Sequence, residues 1–92
     1  MKRKTTTAIL MRSFEKGNKN FSRIKLDCTL ISGAELPDCD FSWSSFRHTT
    51  IVNCDFTGSD FFKCDFYGAK FKDVKFDGCD RDLCNYENQV RK

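Results

Sequence analysis

Ninety-two residues, 39% of them hydrophobic, with ten Phe, five Gly and one Pro, make one domain at most and exclude a collagen-like chain or a disordered linker. The net charge of +3 is unevenly spread: residues 1–25 hold eight Lys/Arg against Glu15 alone, while residues 26–92 hold eight basic and twelve acidic groups. The basic character therefore belongs to the leader, and the body is mildly acidic.

In chain order, residues 1–20 read as a basic capping segment. Thr7, Ile9, Leu10, Phe14 and Gly17 suit a short helix with a Thr7 N-cap, a Leu10–Phe14 pair one turn apart and a Gly17 stop. The apolar patch behind Lys2-Arg3-Lys4 runs only from Ala8 to Met11, too short for a secretory signal. No stretch approaches the roughly 18 apolar residues of a membrane span, so a cytosolic location and no membrane partner are expected. A nucleic-acid or anionic-membrane tail at Lys2 to Lys4 is the competing role for the leader.

From Phe21 a five-residue register begins. Its centres are Phe21, Leu26, Ile31, Leu36, Phe41, Phe46, Ile51, Phe56, Phe61, Phe66, Phe71 and Phe76. Twelve apolar residues in one register against this background have a chance probability of about 10⁻⁵. The position two before each centre is mostly small, as at Ala34, Cys39, Ser44, Cys54, Ser59 and Cys64. Asp often precedes the centre, and Gly follows two after it at Gly33, Gly58, Gly68 and Gly78. A period of five fits neither the 3.6 of a helix nor the 2 of a strand. It fits a coil in which each block of five forms one side, with one large and one small residue inward and a corner that tolerates positive φ.

Cys54-Asp55-Phe56-Thr57-Gly58 and Cys64-Asp65-Phe66-Tyr67-Gly68 resemble the repeat of the pentapeptide-repeat family. The resemblance covers about residues 21–80 and implies an all-β fold: a right-handed quadrilateral parallel β-helix with 20 residues per coil. Here that means about three coils over residues 21–86, the short helical cap before them and a polar tail over 87–92. Arg81 falls on the next centre, where a buried charge is costly. Cys84-Asn85-Tyr86 returns to register, so the repeat either continues for one more side or ends with the Arg81 stem lying over Phe61; the second is preferred.

A 20-residue coil stacks the centres into four inward ladders, and an Asp at any of these centres should unfold the domain. Five of the six Cys are spaced by multiples of five and read as buried, inert thiols rather than disulfides or a zinc site. Cys28 and His48 stack outward, but a flat coil face gives such a dyad no cleft or oxyanion hole. The outward feature of interest is aromatic: Trp43 and Phe62 on adjacent coils of one face, with Leu83 near them and Tyr67 round the corner. Asp40, Asp60 and Asp80 form an acidic column that must be solvated or bonded to corner amides.

One His, no Ser-His-acid pattern and no phosphate loop argue against an enzyme, and no cofactor or metal is expected. Basic and aromatic groups are expected on different faces, which makes a nucleic-acid partner unlikely. The expected function is a non-catalytic interaction module, a rigid prism binding a protein partner or itself as a homodimer. The alternative comes from the resemblance: some pentapeptide-repeat proteins bind DNA gyrase or topoisomerase IV by duplex mimicry, which implies an inhibitor or protector of such an enzyme. That role needs a long acidic rod, and Lys63, Lys70, Lys72 and Lys75 interrupt this one.

Overall fold

The computed structural model describes residues 6–86; the roles expected for Lys2 to Lys4 and for a tail over 87–92 lie outside the described residues. The chain opens with α1 (Thr6–Glu15) and then winds into a solenoid. Three short strands, β1 (Leu30–Ser32), β2 (Thr50–Val52) and β3 (Lys70–Lys72), form one parallel sheet in the order β1-β2-β3. Ile31 lies opposite Ile51, and Ile51 opposite Phe71. Isolated parallel bridges repeat the same offset of 20 along Asn20, Asp40, Asp60 and Asp80, along Lys25, Ser45, Asp65 and Asn85, and along Glu35, Asp55 and Lys75. Together with the sheet, these give four columns of coil-to-coil pairing.

Each centre starts a turn. At Phe41, Phe46, Phe56, Phe61, Phe66 and Phe76 the carbonyl accepts from the N–H three residues on, as from Ser44 to Phe41 at 3.1 Å and from Ser59 to Phe56 at 2.9 Å. The residue two after the centre has positive φ at every corner from Arg23 to Leu83, the second central position of a type II turn. Nine of these residues are not glycine, and each carries a left-handed cost of about 1–2 kcal/mol. Coil-to-coil bonds hold the corners in that shape: Arg23 N–H donates to Ser42 O at 2.9 Å, Trp43 N–H to Phe62 O at 2.8 Å, and Lys63 N–H to Asp82 O at 2.9 Å.

Inside, the rings stack along the columns and meet edge-on between them. Phe41 lies 5.2 Å from Phe21 and 5.1 Å from Phe61, both stacked, whereas Phe56 meets Phe61 at 87°. The centres are not equivalent. Phe41, Phe46, Phe56, Phe61 and Phe66 are sealed, but Leu26, Phe71 and Phe76 are only half-buried. Among the described residues, Leu26 in the first coil and the latter two in the last have a neighbouring coil on one side only.

The small residues bond as well as fit. Ser59 Oγ donates to Leu36 O at 2.9 Å and accepts from Cys39 N–H at 3.0 Å; Ser44 does the same for Phe21 O and Ile24 N–H. Cys64, Cys79 and Cys84 thiols donate to Phe41, Phe56 and Phe61 carbonyls, each at 2.9 Å. Buried hydroxyls and thiols are thereby matched to carbonyls that have a spare lone pair.

At the far end the structure departs from the preferred expectation for Arg81. The pairing runs on to Tyr86, whose ring stacks on Phe66 at 5.5 Å, and Asn85 N–H donates to Cys64 O. Arg81 is exposed, and its guanidinium lies 4.3 Å from the Phe76 ring centre. A charge at a centre is accommodated because the last coil has no coil above it among the described residues and the head reaches water.

At the near end α1 packs on β1. Leu10 is buried in the core cluster, with Met11 and Phe14 partly buried against it. Thr7 does not cap the helix as expected: it sits in the first turn, and its Oγ1 accepts from Ser32 N–H of β1 at 2.8 Å. The hydroxyl thus serves the sheet edge instead of its own helix. The other end follows the Gly17 expectation in detail, with φ of +100°, Gly17 N–H donating to Phe14 O and Asn18 N–H to Ser13 O, a Schellman motif.

Candidate functional site

Trp43 and Phe62 are not on a flat face. Both occupy the corner after the Phe41 and Phe61 centres, where the turn aims side chains outward. Their rings meet edge-on at 6.2 Å. The coil offset sets Arg23, Trp43, Lys63 and Leu83 in one column at this corner. The Arg23 guanidinium lies 5.2 Å and the Lys63 ammonium 4.9 Å from the indole centre, one from the coil before and one from the coil after. Trp43 is nevertheless 47% exposed and Leu83 68%.

Basic and aromatic groups therefore do share a surface, contrary to the expectation from sequence. Arg47 repeats the motif on Tyr67 at 4.6 Å. The reason is the offset itself, since a cation 20 residues before or after an aromatic lies over its ring face, where the quadrupole attracts it. Sequence reading grouped Trp43, Phe62 and Leu83 but missed Arg23, although the same spacing of 20 identifies it.

The acidic column has local work. Asp40, Asp60 and Asp80 each accept, through Oδ1, the N–H two residues on (Ser42, Phe62 and Asp82) at 2.9 Å. Asp65 does likewise for Tyr67 and also pairs with Arg47 at 2.9 Å. Desolvation pushes the Asp65 carboxyl up, but the Arg47 guanidinium and the Tyr67 and Asn85 donors outweigh it and hold the group below the usual carboxylate range. These carboxylates close their own corners, which uses one oxygen of each.

Contrary to the flat face expected for them, Cys28 and His48 come together on a cavity of about 490 Å³, with Thr6, Thr29, Leu30 and Thr50 as its other walls, because the first residue of α1 stands over this side of the coil. His48 packs edge-on against Tyr67 at 5.5 Å and lies over Gly68, where a Cβ would collide with its Nδ1. Among the described residues no three His, Cys, Asp or Glu side chains gather as a metal site.

All six cysteines are unpaired, and Cys28 is the exposed one. Burial pushes the Cys39 thiol up to about 11 and the Cys64 thiol up to about 12. Reactivity follows thiolate content and access. Maleimide at neutral pH is therefore expected to label Cys28 in seconds to minutes, and Cys39, Cys54 and Cys64 only as the fold opens. Mass mapping of the labelled peptides checks this; early modification of Cys64 would contradict it.

The repeating coil, its corner turns and its inward ladders define a repeat solenoid. Models of pentapeptide repeats match residues 25–61 and 39–78, with eight copies of the repeat. More than half of the chain is matched, and it belongs to the pentapeptide-repeat family, whose β-helix solenoid is the fold described above. Among solved structures it superposes on HetL, a pentapeptide repeat protein involved in heterocyst differentiation regulation from the cyanobacterium Nostoc sp. strain PCC 7120. The TM-score is 0.75 at 19% identity, over 84% of this chain and 32% of HetL. The chain thus spans about a third of HetL's length, and the likeness shows fold alone. A second match, alr5209, a pentapeptide repeat protein from Nostoc PCC 7120, covers 98% of this chain and 93% of its own at 20% identity, but its TM-score of 0.33 carries no argument. No curated protein sequence matches the chain.

Proposed function

We propose that this protein is a non-catalytic interaction module: a right-handed, four-sided solenoid of about three coils that docks a protein partner on its Trp43 corner. The observation behind this reading is the exposed indole with the Phe62 ring edge-on against it and exposed Leu83 in the same column, which clusters apolar groups where Ile9 and Leu30 are exposed elsewhere. Clustered aromatic and apolar groups held rigidly on a surface are what binding hot spots use. Six unpaired cysteines suit a reducing compartment, and we place the module in the cytosol. No helix among the described residues is long and apolar enough to cross a membrane.

Duplex mimicry draws less support. Asp40, Asp60 and Asp80 spend one carboxylate oxygen on corner amides, and cations stand on the same surface as the acids. The test is sedimentation velocity and pull-down from the native host with wild type, Trp43→Ala and Phe62→Ala. Partner binding or self-association should fall at least about tenfold in both variants, with circular dichroism unchanged. A monomer that retains the same partners after both changes overturns the reading.

A further inference from the structure

The column at the Trp43 corner specifies more than an apolar contact. Arg23 and Lys63 are exposed, and among the described residues neither forms an ion pair, since the cations are held on the indole instead. Clamping two long side chains on one ring removes much of the ordering cost that an incoming anion would otherwise meet. With coils about 4.8 Å apart, the two cations lie about 10 Å apart, and Leu83 stands roughly 5 Å further along the same line.

That row has the spacing of one stripe of an α-helix. Positions i and i+7 are about 10.5 Å apart, and steps of three or four residues advance about 4.5–6 Å. We propose that the corner takes an amphipathic acidic helix of a partner protein. One carboxylate at i meets Arg23 or Lys63 and a second at i+7 meets the other. A side chain between them touches the Trp43 edge and Phe62, and an apolar residue one turn beyond the Lys63 contact covers Leu83. The inference rests on the reading of this corner as a docking surface and adds the chemistry of what docks.

Nucleic acid fits less well for two reasons on the same surface. A single strand is held by bases stacking on aromatic faces, and the Arg23 and Lys63 cations already lie against the Trp43 ring. The Asp40, Asp60 and Asp80 column, which caps the Ser42, Phe62 and Asp82 amides on the near edge of this same corner, repels a phosphate backbone running along the stack. A folded helix can set carboxylates on the corner and neutral or basic groups opposite the aspartates.

Trp43 is the one tryptophan of the chain, so its fluorescence reports this site without labelling. The probe is an 18-residue Ala-based helical peptide with Glu at i and i+7 and Leu at i+3 and i+10. Its controls are the same peptide with Gln for both Glu, the same peptide with both Glu moved to the opposite face, and a single-stranded oligonucleotide. Titrated into the full chain at low salt, the Glu peptide should shift the emission and bind more weakly as salt rises. Arg23→Gln and Lys63→Gln should each weaken it about threefold, and the pair together about tenfold; circular dichroism confirms that the variants stay folded. The proposal is overturned if the Glu peptide fails to bind at millimolar concentration or the Gln or displaced peptide binds equally. Indifference to both cation variants, or tighter binding of the oligonucleotide, also overturns it. Loss of a host partner on Trp43→Ala alongside such a failure leaves the docking surface standing and removes only its acidic chemistry.

Discussion

Phe61→Ala is expected to lower the unfolding free energy by about 3–5 kcal/mol, enough to leave a domain of this size largely unfolded at 37 °C. Phe61 has no exposed surface. Its ring touches five others: Phe41 at 5.1 Å, Phe56 at 5.2 Å, Phe76 at 5.7 Å, Phe66 at 5.8 Å and Phe46 at 6.1 Å. Coil backbones fixed by hydrogen bonds above and below cannot collapse into the void, so the cavity cost is retained on top of the lost transfer energy. The same truncation at Phe71, half-buried in the last coil, should cost about half as much. Urea titrations followed by circular dichroism read both, and equal losses at the two positions would contradict a core that is tightest mid-stack.

How much of this was legible in the sequence differs from feature to feature. The centres were readable because one physical slot, an inward large apolar residue, recurs at a constant interval with only Arg81 breaking it. The corner was readable at Gly33, Gly58, Gly68 and Gly78 alone. At Trp43 or Lys63 the same positive φ has no residue signature, since coil-to-coil bonds rather than local preference impose it. Ser, Thr, Cys and Ala looked alike as small residues, and size hid their difference. Ser59 bridges Leu36 O and Cys39 N–H, the Cys64 thiol donates to Phe41 O and meets the Ser44 N–H, and the Ala34 side chain can do neither.

The candidate surface shows the same division. Spacing placed Trp43 beside Leu83, yet the contribution of Arg23 and Lys63 needed the corner geometry, which turns a column of four residues outward and lays cations on the indole. In a stack, each outward side chain is chosen against its neighbours one coil away, so function is written down columns rather than along the chain. Arg47 on Tyr67 and His48 over Gly68 follow the same rule.

Leu10→Ala is expected to cost about 2–4 kcal/mol, although it lies outside the repeat. A ten-residue helix such as α1 is marginal on its own in water, so its stability derives from the face it buries, and Leu10 is the residue of that face sealed at 4% exposure. Undocking would also free Ser32 N–H, which Thr7 Oγ1 holds on the edge of β1, and would expose Phe21 from above. An open apolar coil end with unpaired strand groups is a template for pairing with another chain, so the variant should lose solubility as well as stability. Hydrogen exchange separates this from a general weakening. Protection should fall first at Ser32 and along α1 while the amides of Phe61 and Phe66 keep theirs. Uniform loss across the stack would mean that α1 and the coils unfold as one unit rather than as a lid over a self-supporting solenoid.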